Sequence, residues 1–210
     1  MYDLEEQEQI DALKAWWREN GRLVIVAVMA AALAAAAVSG WRYYKGTQAQ
    51  KASQLYATLE NAVRSNDAKQ VTDVAGQLID KYGSTAYAPM AALAAAKADF
   101  DAGDLASAAA RLEWAAEHAR DEETRAIARV RLAGVRLDEK KHDEALRLLE
   151  QAHPESFAGL YADLRGDVLV AQGKAAEAKE AYKLALQKLP EQSTYRLVVQ
   201  VKLDGLGSAE

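Results

Sequence analysis

Cysteine is absent from the 210 residues, which excludes disulfides, thiolate metal sites and a lipid-modified N-terminal cysteine. The absence fits either redox compartment and decides neither. Proline occurs three times and glycine twelve times, so long stretches run without a breaker. No segment alternates β-branched and polar residues over the length of a strand. Ala, Leu, Glu, Lys, Arg and Gln fill the gaps, all good helix formers. The fold class expected is all-α. An excess of positive charge is also missing. Residues 42–210 hold 23 Lys and Arg against 25 Asp and Glu, without the clustered basic surface that a nucleic-acid footprint needs. That removes nucleic acid from the expected partners.

One long apolar run stands against this background. Leu23 to Trp41 is nineteen residues without a charge, bracketed by Arg22 and Arg42. At about 1.5 Å per residue a helix of that length nearly spans the ~30 Å hydrocarbon core of a bilayer. Eight of its residues are alanine, which adds little insertion energy. The seven Leu, Val and Ile residues supply at most roughly −2 to −4 kcal/mol on an insertion scale. The flanks strengthen the reading. Trp16 and Trp17 precede the span, and Trp41, Tyr43 and Tyr44 close it. Aromatic rings with one polar edge favour the headgroup zone, while Arg22, Arg42 and Lys45 can reach lipid phosphates with their stems in apolar surroundings.

Two alternatives compete. A buried Ala-rich core helix has the same composition, and a cleaved signal peptide also places an apolar stretch early. The 22-residue leader with six acids and the length of the run favour an uncleaved signal-anchor. The expected organisation is an acidic leader over 1–22, a membrane helix over 23–41 and a helical domain over 42–210. Lys14, Arg18 and Arg22 balance Arg42, Lys45 and Lys51, so the positive-inside rule returns a tie on orientation.

The domain contains a repeat. Gly166 to Leu186, ending near Pro190, resembles the tetratricopeptide repeat: Gly166, Leu169, Gly173, Ala178, Tyr182, Ala185, Leu186 and Pro190 occupy its small, large and terminating positions. Gly166 and Ala178 permit two antiparallel helices to approach, Gly173 turns the chain, Tyr182 fills the groove and Pro190 stops the second helix. Less faithful copies begin at Ala102-Gly103-Asp104 and Lys140-Lys141-His142. The matching alanines Ala108, Ala145 and Ala178 are 37 and 33 residues apart, around the 34-residue period. A fourth pair is expected near 47–65 and 68–81, with Ser84 or Thr85 capping the helix that follows. One such hairpin cannot bury its apolar face alone, whereas a stack builds a continuous core. Residues 194–203 are expected to cover the last hairpin as a helix, although their valine content also allows a strand.

Chemistry is sparse. His118, His142 and His153 are dispersed near helix ends, where solvent or the helix dipole explains them. Gly173-Lys174 lacks the glycine spacing and the hydroxyl residue of a phosphate loop. No acid–base pair, nucleophile triad or metal cluster emerges from spacing, so neither an enzyme nor a cofactor is expected. Arg125, Arg129 and Arg136 fall within about 40° on a helix. They read either as a docking strip for an acidic partner or as a solvated face among Glu122, Glu123, Asp138 and Glu139. In the same helix, Leu132-Ala133 or Ala133-Gly134 could face the partner helix.

The order of features is specific: an acidic leader, Trp16-Trp17-Arg18-Glu19-Asn20-Gly21, one apolar span, degenerate helical repeats, and a closing Val201-Lys202-Leu203-Asp204-Gly205-Leu206. It resembles the bacterial YfgM-type proteins, ancillary subunits of the SecYEG translocon. The resemblance implies a single-pass protein of the bacterial inner membrane, with a cytoplasmic N-terminus and a periplasmic repeat domain. It also implies partners: SecYEG, the membrane-anchored chaperone PpiD, periplasmic chaperones and the exported chains passed to them. A cytoplasmic stress-response regulator would meet the leader. The function implied is a non-enzymatic adaptor; the alternative is a structural organiser of a membrane complex that binds no client chain.

Overall fold

The turns between helices show most directly how this sequence folds. Asn66, Gly103, Lys140 and Gly173 all take positive φ, between 59° and 81°, and each opens the turn inside one helical hairpin. They are 37, 37 and 33 residues apart, so the backbone repeats four times even where the side chains do not. Asp67 and Asp104 follow two of these turns and accept from the backbone N–H of Gln70 and Ser107, at 2.9 and 3.0 Å. Lys141 and Lys174 hold the equivalent places without a side-chain cap.

In a computed structural model that describes residues 2–207, the chain is all-helical: α1 (Tyr2–Arg64), α2 (Ala68–Tyr82), α3 (Tyr87–Asp101), α4 (Leu105–His118), α5 (Glu122–Asp138), α6 (His142–Leu149), α7 (Ala158–Ala171), α8 (Ala175–Lys188) and α9 (Tyr195–Gly207). A single 3-10 turn, Glu155–Phe157, precedes α7. The chain divides into two units after Gln48.

In the first unit, the apolar stretch of α1 is exposed, from Leu23 through Leu33 to Val38. Its most apolar 18-residue window has a mean hydropathy of 2.4 and no part of it buried. The buried core helix weighed above is therefore excluded, because a core helix has protein around it. Of the described helices this one is long and apolar enough to cross a membrane.

The second unit stacks hairpins. The segment expected as a separate helix over 47–65 is the end of α1: no proline falls between Trp41 and Arg64, and the helix runs through Gly46. Its Ala52, Leu59 and Ala62 share a core with Val71, Val74 and Leu78 of α2 and Ala91 and Ala95 of α3. The same overlap recurs along the stack: Ala96 of α3, Ala108 and Leu112 of α4 and Leu132 and Val135 of α5; Ala133 of α5, Ala145 and Leu149 of α6 and Val168 of α7; Leu169 of α7, Ala178, Tyr182 and Ala185 of α8 and Val199 of α9. Each cluster joins three successive helices, so no hairpin has a core of its own. Leu132 and Ala133 point into different clusters, while Gly134 lines a surface groove.

One local expectation needs correction, and one open alternative is decided. Neither Ser84 nor Thr85 caps α3: its N-cap is Ala86, without a side-chain bond. The Thr85 hydroxyl instead donates back to the carbonyl of Tyr82 at 2.7 Å, which satisfies the end of α2 rather than the start of α3. Residues 195–207 form the expected helix rather than the strand that their valines also allowed. Val199 on its inner side is fully buried, and no sheet exists among the described residues for a strand to join.

Lys140 carries a left-handed conformation that costs a residue with a Cβ roughly 1–2 kcal/mol. Lys140→Gly is expected to stabilise the repeat body by about 0.5–1 kcal/mol, after allowing for the greater freedom of glycine in the unfolded chain. A thermal melt checks this; Gly173→Ala at the matching turn should move the midpoint the other way.

Candidate functional site

The surface of the repeat body offers shape rather than reactive groups. A groove of about 350 Å³ runs between α3 and α5, with Leu93, Ala96 and Phe100 on one wall and Arg131, Gly134 and Val135 on the other. Phe100 is 42% exposed there, a large apolar ring left uncovered. On the other side of α3 a second groove, about 310 Å³, is lined by Val63, Val71, Ala94 and Ala98. Lys97 and Asp101 border both grooves and pair with each other at 2.6 Å. Both volumes fall at the low end of the range for small-ligand clefts, about 300–1,000 Å³.

The arginine face lies partly apart from the grooves and is engaged within the chain. Arg125 donates to Glu122 at 3.0 Å and to the Ala119 carbonyl at 3.2 Å. Arg129 reaches the same Glu122 at 3.1 Å and the carbonyl of Ala152 at 2.9 Å. Arg136 stands in another cluster, donating to Glu139 at 2.6 Å and to Glu113, with Glu144 at 3.2 Å. The three therefore share a helix face without forming one site. Their carboxylates come from α4, α5, the turn after α5 and α6, so they tie adjacent hairpins together. The hydrogen bond to Glu139 holds the Arg136 guanidinium above its usual value. Arg125 holds the Glu122 carboxyl below the usual carboxylate range.

The histidines are packed or exposed singly. His118 stacks on Trp114, centroids 4.4 Å apart, and its Nδ1 lies 2.9 Å from the Trp114 carbonyl. His153 packs against Tyr161. The Tyr161 hydroxyl donates to the carbonyl of Ala126 at 3.0 Å, and burial pushes its pKa up to about 12. Among the described residues no group of three or more His, Cys, Asp or Glu is placed to hold a metal ion.

The repeat positions named from sequence lie at contacts between neighbouring helices: Ala108 in α4, Ala145 in α6, and Gly166, Ala178, Tyr182 and Ala185 where α7 meets α8. Ala108, Ala145, Ala178 and Ala185 are fully buried, and Val71 occupies the matching place in the first hairpin. A Cβ built on Gly166 would collide with the Tyr182 ring, so only glycine allows that ring to lie across α7. Gly173 turns the chain with φ 76°. Pro190 follows the C-cap Leu189 of α8. In the other unit, Trp16 and Trp17 lie 6.4 Å apart, Trp41 stacks on Tyr44 at 6.2 Å, and Lys45 sits 5.1 Å over the Trp41 ring. Arg22, Arg42 and Tyr43 are exposed.

Sequence reasoning missed one constellation. Asp163 is 2% exposed and accepts from Tyr195 at 2.6 Å and from Lys202 at 2.8 and 2.9 Å. Asp167 accepts from Lys202 at 2.7 Å and from the Tyr182 hydroxyl at 2.8 Å. Burial alone would lower the Lys202 ammonium, but the two carboxylates outweigh it and raise its pKa. Burial also pushes the Tyr182 and Tyr195 phenols upward, reinforced by the same carboxylates. Arg196 adds a bond to the Leu189 carbonyl at 3.0 Å, closing the end of α8. The network fastens α9 to α7 and α8, and it gives the closing Lys202-Leu203-Asp204 a structural task. Asp163 and Asp167, four residues apart on an otherwise apolar helix face, were the signal available in the sequence.

Comparison with known proteins accounts for nearly the whole chain. Residues 14–208 match the family described as a tetratricopeptide repeat-like domain. The ancillary SecYEG translocon subunit of Haemophilus influenzae is 35% identical over 189 residues, 89% of this chain and 91% of that protein. The subunit of the same name from Neisseria gonorrhoeae is 32% identical over 204 residues, covering 97% and 98% of the two chains. That of Escherichia coli is 30% identical over 183 residues, 87% of each. With its apolar N-terminal helix and four tetratricopeptide-like hairpins, the chain belongs to the family of ancillary SecYEG translocon subunits.

Proposed function

We propose that this chain is a non-enzymatic, membrane-anchored adaptor of the SecYEG translocon that links exported proteins to periplasmic chaperones. The observation that carries the proposal is identity of 32% along 97% of the chain to a relative bearing the translocon's name. That similarity reaches the leader and the anchor as well as the repeats. Residues 23–41 act as the single membrane span, Trp16, Trp17, Arg22, Trp41, Arg42, Tyr43 and Tyr44 as its interfacial anchors, and residues 1–22 as a cytoplasmic leader. The repeat body then lies on the periplasmic side of the inner membrane, beside a PpiD-like chaperone. Confinement by the anchor raises the effective concentration of its surface near the channel exit. The grooves beside α3 receive short apolar segments of an emerging chain, with Phe100 and Val63 as contact points.

Photo-crosslinkers at Phe100 and Val63, with a secretory protein stalled in the channel, test this reading. The adaptor yields adducts with the stalled chain at both positions. A chain that co-purifies with SecYEG yet gives no adduct at either is a structural organiser instead.

A further inference from the structure

The last described helix of the repeat body, α9, is built like the first helix of a hairpin. Ala96, Ala133 and Gly166 are the small residues at which α3, α5 and α7 meet the second helix of their own hairpins: Ala96 with Ala108 and Leu112, Ala133 with Ala145 and Leu149, Gly166 with Tyr182. They are spaced 37 and 33 residues apart, and 35 residues after Gly166 comes Val201 of α9. By the same step Ala162, which packs towards α8, corresponds to Leu197. Meanwhile Tyr195, Val199, Leu203 and Leu206 pack α9 onto the preceding hairpin. So α9 has both faces of a hairpin's first helix. One is covered, and the other is not: Leu197 and Val201 are each 72% exposed and Val198 46%. The outermost element of a repeat stack ordinarily turns a polar face to water, which makes three uncovered apolar side chains on this one informative.

We propose that this face of α9 takes an amphipathic helix from another protein, seated antiparallel to α9 where the second helix of a fifth hairpin would lie. Size and charge describe the occupant. Where the chain supplies its own second helices, the first helix offers alanine or glycine in the last three hairpins, and in the first it offers Leu59, in one cluster with Val71, Val74 and Ala75. Here it offers valine and leucine, so the incoming helix carries Ala, Gly or Ser opposite Val201. Antiparallel seating brings its N-terminus over Asp204, whose carboxylate suits the positive end of a helix dipole. A second copy of α9 fits poorly, since it sets Val201 on Val201. The open face exists whether or not the chain serves a translocon.

The test uses the full-length chain in its native membranes, with a photo-crosslinking residue at Leu197 or Val201 and a control at Glu180, an exposed residue of α8. The expected result is an adduct with the same foreign protein from both α9 positions and none from 180. The crosslinked peptide should map to a helix-forming segment with small residues three or four apart. V198E should cut the yield at least tenfold with an unchanged melting midpoint, and the milder V198S should cut it partly. No adduct, equal labelling at 180, adducts only with lipid, a crosslink to an extended segment, or a product of twice the chain's own mass would each overturn the proposal.

Discussion

Lys202→Met is expected to cost the repeat body about 3 kcal/mol, the low end for breaking a buried ion pair from one side. The reason lies in what remains behind. Asp163 is almost wholly buried, and the ammonium bonds both of its oxygens and one of Asp167. Methionine fills similar volume but leaves two carboxylates, one turn apart on α7, without a cation. Lys202 and Asp167 retain some solvent, which sets the lower end of the range. For a domain of this size the loss corresponds to a midpoint lower by about 6–12 °C. Adding Asp163→Asn should recover part of it, because the amide removes the unpaired charge. Native-state hydrogen exchange should show amides of 195–207 opening first, since α9 has helix neighbours on one side only. The Lys202 contribution is insensitive to neutral pH. Its folded pKa is raised, so the stabilisation is complete below about 10.4 and is lost only as pH rises through the folded value.

The second large effect concerns the anchor. Leu33→Arg places a charge near the middle of the apolar stretch, at a cost of about 2.5–3.5 kcal/mol on the insertion scale. The seven aliphatic residues supply at most roughly −2 to −4 kcal/mol, and the substitution also removes one of them. A span with so much alanine has no reserve against one arginine. The substituted chain is expected to move from the membrane pellet to the soluble fraction and to stop co-purifying with SecYEG, while its repeat body melts as before. Leu33→Ala, losing only a few tenths of a kcal/mol, should remain in the membrane. A chain that stays with SecYEG after Leu33→Arg would show that the repeat body, not the helix, holds the association.

How much could be read from residues alone differs from element to element for physical reasons. The hairpins with Ala108, Ala145 and Ala178 were legible because close helix packing demands a small residue at a fixed interval. The first hairpin was obscure in side chains but not in logic. Asn66 tolerates the left-handed turn where later repeats use Gly103 and Gly173, and Asn66-Asp67 mirrors Gly103-Asp104. The spacing of Arg125, Arg129 and Arg136 correctly put them on one face. Their partners come from neighbouring helices, however, and helical periodicity carries no information on contacts between helices. The Asp163–Lys202 pair escaped for the same reason, its members lying 39 residues apart. The grooves depend on side-chain volumes from several helices at once, so Phe100 looked like any other apolar residue of α3. The missing cap at Thr85 followed from a choice between two backbone groups that differ by a fraction of a turn.

Protease accessibility of the repeat body in intact cells, spheroplasts and lysed spheroplasts tests the central claim most directly. The account predicts that residues beyond the anchor are digested once the outer membrane is opened, with the leader protected until lysis. Protection of the repeat body until lysis would place it in the cytoplasm and contradict the periplasmic adaptor.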